Sequence, residues 1–301
     1  MTIRIGVVGQ GFVGGSLTTV MNERNCAVFT YDITGKVAPG GRGTGAFSLA
    51  EFVSMCDELD VRVIFVCLPT PMTQTGHADL SVVESALNEI AEVPTRGNYD
   101  RIAVVKSTVP PGTCTTWDNR FAYRNLRVVF NPEFLTEARA LDDMRDQDRI
   151  ILGGHPAVTP KVAEIYAKTF PGVPCIQTSA NNSEMVKYIA NCFLSVKVSF
   201  ANEMRQVCEG LNSAGKTCDY DKIIELATLD KRLGETHWKT PGPDGKAGFG
   251  GSCFPKDINA MIRVAQSVQV DPKVLCAAWD KNLEVRPERD WELLKGRAVS
   301  V

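Results

Sequence analysis

Histidine is almost missing from this sequence: His77, His155 and His237 are the only 3 in 301 residues. They stand far apart, without the spacing by which ligands share one ion, so no metal site is expected. A dominant charge is lacking too. Lys and Arg number 33 against 35 Asp and Glu, the formal net charge is -2, and no basic block occurs. Nucleic acid and anionic membrane therefore find no electrostatic footprint, whereas a small anionic ligand is compatible with this balance. No apolar run reaches the length of a membrane span, and the N-terminus enters a strand directly, without a charged-then-apolar leader. The 10 cysteines include no C-x-x-C pair and lie mostly inside apolar runs such as Val63 to Leu68. Reduced thiols in a cytoplasmic compartment are the expectation. No internal repeat or low-complexity tract occurs.

What is present is ordinary globular material, 44% hydrophobic and 23% charged. The length suits two domains, with a fragment of a third. One stretch organises the rest: Gly248-Phe249-Gly250-Gly251-Ser252-Cys253-Phe254-Pro255-Lys256-Asp257. Its glycines let backbone approach another molecule closely and take conformations closed to other residues. Pro255 suits the start of a helix, and Asp257 to Val268 carries Ile258, Met261, Ile262, Ala265 and Val268 on one face. Cys253 is thus expected at a helix N-terminus, where the macrodipole and Lys256 favour the thiolate. A lone cysteine beside a turn reads as a small buried thiol. Glycines, proline, Lys256 and Asp257 together make it a nucleophile.

The N-terminal half alternates strand and helix. Ile3 to Val8 reads as a buried parallel strand, followed by Gly9-Gln10-Gly11-Phe12-Val13-Gly14, a helix from Ser16 to Arg24 and a strand from Ala27 to Tyr31 ending at Asp32. In this context the glycines form a dinucleotide fingerprint: Gly9 for the turn, Gly11 for approach of the pyrophosphate, Gly14 for helix packing. Asp32 would bind the ribose hydroxyls and repel a 2′-phosphate, which favours NAD over NADP. Lys36, in a glycine-rich loop over 35–45, is a secondary ribose contact. Strands at Val61 to Leu68, Arg101 to Val105 and Arg127 to Phe130 each end in a polar turn, and a helix is expected from Leu80 to Ala91 behind Asp79 or Ser81 as cap. Ligands lie outside the carboxyl ends of such strands, so Thr70, Thr108, Glu133 and Glu137 are candidates for one cleft.

Strands at Arg149 to Leu152 and Pro174 to Gln177 flank a helix over Thr159 to Thr169. A long helix then runs from Ser179 or Asn182 to about Leu211, with Lys187 and Asn191 one turn apart on one face. It opens an all-helical domain. Helices follow at Asp219 to Thr228, beyond Cys253, and at Pro272 to Val285; Arg232 lies on the segment between the first two, and the terminal Gly296 to Val301 reads as the opening of another strand.

These motifs together resemble the UDP-glucose/GDP-mannose dehydrogenase family, most closely its UDP-glucose members. The resemblance rests on the fingerprint, Leu68-Pro69-Thr70-Pro71, Ser107-Thr108-Val109-Pro110, Asn131-Pro132-Glu133-Phe134-Leu135, Lys187-Tyr188-Ile189-Ala190-Asn191, Arg232-Leu233-Gly234 and the cysteine stretch. It implies an α/β chain: a Rossmann-type doubly wound parallel sheet over 1–178, a helical central domain over 179–293 with a long connecting helix, and 294–301 as a remnant of an otherwise absent third, nucleotide-sugar-binding domain. It also implies a twofold oxidation of a sugar CH2OH to a carboxylate, with two NAD and one water, through a Cys253 thiohemiacetal and thioester.

In that scheme Lys187 and Asn191 stabilise the substrate oxyanion, and Asp257 positions water or takes a proton. Glu133 serves as general base for thioester hydrolysis, Glu137 assists or touches the cofactor, and Thr108 lies near the nicotinamide. The cofactor set comprises Gly9, Gly11, Phe12, Val13, Gly14, Asp32, Lys36, Thr70, Thr108, Glu137 and Lys256. The substrate set comprises Glu133, Phe134, Leu135, Glu137, Lys187, Asn191, Arg232, Phe249 and Gly250. The family's arginine crosses a dimer interface, so a homodimer is implied. Phe254 leans toward UDP-glucose over GDP-mannose. A β-hydroxyacid dehydrogenase shares the Lys/Asn spacing but needs no thiol; a silent NAD-binding assembly subunit is the reading from outside catalysis.

Overall fold

The computed structural model describes residues 2–97 and 99–301. The chain divides into two compact units. The first takes up the chain as far as Thr70 together with Leu80–Lys187; the second comprises Pro71–Asp79 and Tyr188–Val301.

In the first unit, β1 (Ile3–Val8), α1 (Phe12–Glu23), β2 (Cys26–Tyr31), β3 (Arg42–Gly43), α2 (Leu49–Glu58) and β4 (Val63–Val66) come first. They are followed by α3 (Ser81–Glu92), β5 (Arg101–Val105), α4 (Thr113–Phe121), β6 (Leu126–Phe130), α5 (Ala140–Arg145), β7 (Ile150–Gly153), α6 (Thr159–Thr169) and β8 (Cys175–Thr178). The strands form one sheet in the order β3-β2-β1-β4-β5-β6-β7-β8. All pairings are parallel except that of β6 with β7, which meet through Phe130 and Gly153. The order reverses between β1 and β4, the switch point at which a doubly wound sheet offers a ligand crevice.

Period-two alternation explains the layering. On β4, Ile64 and Val66 join one core with Phe52 of α2, Leu87 of α3 and Trp117 of α4, while Phe65 joins the other with Leu17 of α1 and Tyr166 of α6. Both faces are therefore covered, as a parallel sheet requires. Arg101, fully buried, sends its guanidinium bidentately to Asp57 at 3.0 and 2.5 Å and to the carbonyls of Ile90, Val93 and Pro94.

The structure differs locally from the sequence expectation. Helix α1 starts at Phe12 rather than Ser16, its glycines helical despite their weak propensity. Helix α4 was not expected from Thr-Cys-Thr-Thr, poor helix formers; Glu184, fully buried, caps it from far along the chain, accepting from the N–H groups of Gly112 at 2.7 Å and Cys114 at 2.8 Å. At α3 the cap position falls to Leu80, between the expected Asp79 and Ser81.

The second unit is helical. Helix α7 (Ala180–Ser213) starts in the first unit and continues through the second, followed by α8 (Tyr220–Ala227), α9 (Phe254–Ser267) and α10 (Lys273–Val285). Short 3-10 turns cover Lys231–Leu233 and Asp290–Leu293. Asp219 caps α8 by accepting from Lys222 N. The terminal segment makes isolated bridges rather than a strand: Met72 N donates to the Ala298 carbonyl and Ser300 N to the Met72 carbonyl, both at 2.8 Å.

Candidate active site

In the first unit the fingerprint glycines divide by what surrounds them. A Cβ on Gly14 would lie 1.9 Å from the Gly9 carbonyl oxygen, and one on Gly9, at φ +87°, 2.4 Å from that of Cys67. Those positions are closed by the protein's own backbone. Nothing lies within 4 Å of a Cβ on Gly11, so that glycine faces open space at the helix N-terminus, where a pyrophosphate would take its N–H groups. Phe12 and Val13 stand half-buried in the first turn.

Asp32 follows β2, half-buried. Its Oδ2 accepts from Gln10 N at 2.7 Å, tying it to the fingerprint, and its Oδ1 accepts from Thr34 N at 2.9 Å and Thr34 Oγ1 at 2.6 Å. Burial works to raise its pKa, but these bonds and the charge of exposed Lys36 outweigh it and hold the carboxyl below its ordinary value. The residues thus fit a dinucleotide with free ribose hydroxyls: a carboxylate beside an open glycine N-terminus.

At the carboxyl ends of the neighbouring strands, Thr70 Oγ1 donates to the Thr108 carbonyl at 2.9 Å, both threonines buried. Glu133 and Lys187 form an ion pair at 3.1 Å with side chains 7% and 4% exposed. The other Glu133 oxygen accepts from Leu135 N at 2.7 Å, and Phe134 presents its ring to Lys187 Nζ at 5.7 Å. Glu137 is exposed on a 3-10 turn.

Beneath this group lies Lys106, which sequence reasoning passed over. It is 5% exposed and donates to Asn131 Oδ1 at 2.9 Å, an oxygen that also accepts from Tyr166 OH at 2.6 Å. Burial holds the Lys106 ammonium below its ordinary value, with the Glu133 charge opposing. A lysine closing the apolar run Ile102–Val105 was the available signal.

In the second unit Cys253 is half-buried at the N-cap of α9, its carbonyl accepting from Asp257 N at 3.0 Å. Asp257 is 1% exposed. Its Oδ2 accepts from Asn191 Nδ2 of α7 at 2.5 Å and its Oδ1 from Lys256 Nζ at 2.6 Å. The structure thus joins Asn191, Lys256 and Asp257 one turn beyond the cysteine. None of the 10 cysteines is in a disulfide. Burial pushes the thiols of Cys26, Cys56, Cys67 and Cys192 up to about 12, which leaves them protonated at neutral pH.

Phe249 is buried, beside half-buried Gly250. Arg232 is 88% exposed on its 3-10 turn, paired with Asp230. Among the described residues no His/Cys/Asp/Glu cluster could hold a metal, and no helix is long and apolar enough to cross a membrane.

Comparison with known proteins agrees with this geometry. Residues 44–170 match the NAD binding domain of the UDP-glucose/GDP-mannose dehydrogenase family, and residues 181–284 match its central domain. UDP-glucose 6-dehydrogenase AglM of Haloferax volcanii is 31% identical, over 98% of this chain and 73% of its own length. UDP-glucose 6-dehydrogenase TuaD of Bacillus subtilis is 34% identical, over 79% of this chain and 51% of its own length. The chain therefore spans about half the length of that second relative. A UDP-glucose dehydrogenase structure from Pyrobaculum islandicum superposes with a TM-score of 0.80 at 29% identity, covering 99% of this chain and 71% of that one. The fold, the NAD-type fingerprint and these relatives together make this chain a member of the UDP-glucose/GDP-mannose dehydrogenase family of NAD-dependent oxidoreductases.

Proposed function

We propose that the chain oxidises the CH2OH of a nucleotide sugar, UDP-glucose in the first instance, to the carboxylate in two steps. The observation that carries the reading is Cys253 at the cap of α9 with Asp257, one turn on, bonded to Asn191 and Lys256. Held by Gly9, Gly11, Gly14 and Asp32, NAD would supply the hydride acceptor for each step. Removal of a hydride from the alcohol, with its proton passing to Asp257 or to the water that Asp257 positions, leaves an aldehyde. The Cys253 sulfur adds to its carbon, forming a C–S bond and placing negative charge on oxygen. Lys187 and Asn191 are the groups to stabilise that charge. Loss of the second hydride leaves a thioester; water adds with Glu133 taking its proton, the C–S bond breaks, and carboxylate and thiol are released.

Thr70, Thr108, Glu137 and Lys256 are assigned to the cofactor, and Phe134, Leu135, Phe249, Gly250 and Arg232 to the substrate. The working division is 1–178 for cofactor and 179–293 for the helical domain, with 294–301 following it; the family matches over 44–170 and 181–284 support its first two parts. A homodimer in the cytoplasm completes the reading. Ile189, Phe193, Phe200 and Val207, 48–63% exposed along α7 at spacings of four and seven, support a partner helix. Arg232 would then serve the partner's substrate.

The test is NADH formation with UDP-glucose and GDP-mannose in parallel, counted at completion. About two NADH per UDP-glucose, and no acid from Cys253→Ala, is the expected result. Sustained acid formation by Cys253→Ala would remove the thioester route. NAD binding without turnover on either sugar would favour the silent subunit.

A further inference from the structure

The glycines before Cys253 are enforced from within the second unit. A Cβ on Gly248 would meet Asn282 Oδ1 at 2.4 Å, and one on Gly250 the Arg286 guanidinium at 2.5, 2.6 and 2.9 Å. The close approach that the sequence suggested for a ligand is, at these two positions, an approach to α10.

Asn282 is fully buried, and its amide reads one residue of the loop twice. Phe249 N donates to Asn282 Oδ1 at 2.7 Å, and Asn282 Nδ2 donates to the Phe249 carbonyl at 3.0 Å. Arg286, 2% exposed, lies one turn on. It donates to Asp290 at 2.8 and 2.7 Å, to Asp244 at 2.6 Å and to the Ala247 carbonyl at 3.3 Å. Asn202 of α7 accepts from Gly248 N at 3.2 Å. The Phe249 ring packs on Phe254 and Trp279, with centroids 6.0 and 6.1 Å away. So the backbone from 247 to 249 is held through its polar atoms.

We propose that Asn282 and Arg286 are positioning residues that set where the Cys253 sulfur stands, by clamping the loop that delivers it to the cap of α9. The proposal rests on Cys253 as nucleophile. Their hydrogen bonds reach the backbone of Ala247 and Phe249, ahead of the cysteine, and the shape of this loop decides how the chain enters α9. A buried peptide pair of this kind orders a loop because each unmade bond would leave a polar group without water.

Three measurements test it on the full chain. The first is iodoacetamide modification of the Cys253 peptide as a function of pH, in Asn282→Ala and Arg286→Lys, with the circular dichroism of the helices as the folding control. Asn282→Ala removes both bonds to Phe249, each worth roughly five- to tenfold, so it should alkylate roughly 25- to 100-fold more slowly at pH 7. The second is turnover: kcat should fall by a similar factor with the KM for NAD unchanged, and Arg286→Lys, which keeps the charge beside Asp290, should fall between. The third is hydrogen exchange in the unsubstituted chain, where the Phe249 amide should be among the slow ones.

Folded variants with the native alkylation profile and kcat would overturn the proposal. If the variants do not fold, rapid exchange at Phe249 overturns it and slow exchange upholds the clamp. Failure of the nucleophile reading is seen separately, as acid formation by Cys253→Ala, because alkylation and exchange report the loop whether or not the thiol reacts with sugar.

Discussion

Asp257→Asn keeps the shape of the side chain and removes its charge, and the structure sets the size of the effect. Each carboxylate oxygen accepts one donor, from Asn191 at 2.5 Å and from Lys256 at 2.6 Å. An amide has a single acceptor oxygen, so one of the two donors must face an NH2 group. Loss of one charge-assisted bond costs about 1.5–3 kcal/mol. Stranding a buried cation costs about 3–5 kcal/mol, but the Lys256 side chain is 13% exposed and can turn its ammonium toward water. The expected loss is therefore about 2–4 kcal/mol, nearer the bond than the buried charge. Urea unfolding at neutral pH measures it in the fold. Turnover per folded molecule measures it in the reaction, where the same range is a factor of roughly 30–900. Asn191→Ala removes the opposite partner, so the two substitutions should be less than additive when combined. Unchanged stability would refute the hydrogen-bond argument. Reduced stability with turnover within threefold of the parent would make Asp257 a brace for α9 and nothing more.

Other substitutions probe the remaining parts. Gly14→Ala places a Cβ 1.9 Å from the Gly9 carbonyl oxygen, so the fingerprint turn must open and NAD binding, followed by fluorescence titration, should be lost. Binding within threefold of the parent would contradict the packing role. On the proposed assignment, Asp32→Ala would remove hydrogen bonds to ribose worth about 1.5–3 kcal/mol, hence roughly 10- to 150-fold in NAD affinity; equal weakening of sugar binding would count against the assignment. Glu184→Ala leaves the buried Cys114 N–H and the half-buried Gly112 N–H at the start of α4 without their acceptor, at about 1–3 kcal/mol for the buried one, and a change in urea midpoint too small to resolve would show that water replaces it. Asp290 is held down to about 2 by Arg286, against burial and with help from Lys246. Its folded value lies below the ordinary 3.8, so its contribution is present above that pH and fades as pH falls toward about 2. Acid titration of Asp290→Asn should lack this component, and an identical acid midpoint would argue that the pair is screened by water.

Much of the fold was legible because its determinants are local. Buried parallel strands are short β-branched runs, and a fingerprint glycine pattern has few structural uses, so Ile3–Val8, Gly9–Gly14 and Asp32 could be read in order along the chain. The amphipathic spacing of α7 was equally visible, as was Cys253 before Pro255. Less legible was α4, whose residues have weak helix propensity and whose cap is Glu184, some seventy residues on. Lys106 and Arg101 were also passed over, because a charge beside an apolar run says nothing of the carbonyls and carboxylates that will surround it.

The sequence by itself determined most of the element types, the dinucleotide fingerprint and the place of Cys253 before a helix, since these follow from periodicity, turn chemistry and spacing within a few residues. Tertiary structure alone decided which polar groups meet: Glu133 with Lys187, Asp257 with Asn191, Phe249 with Asn282. Those partners lie 33 to 66 positions apart. A buried polar group must find a partner wherever packing brings one, and no local pattern records which one that will be.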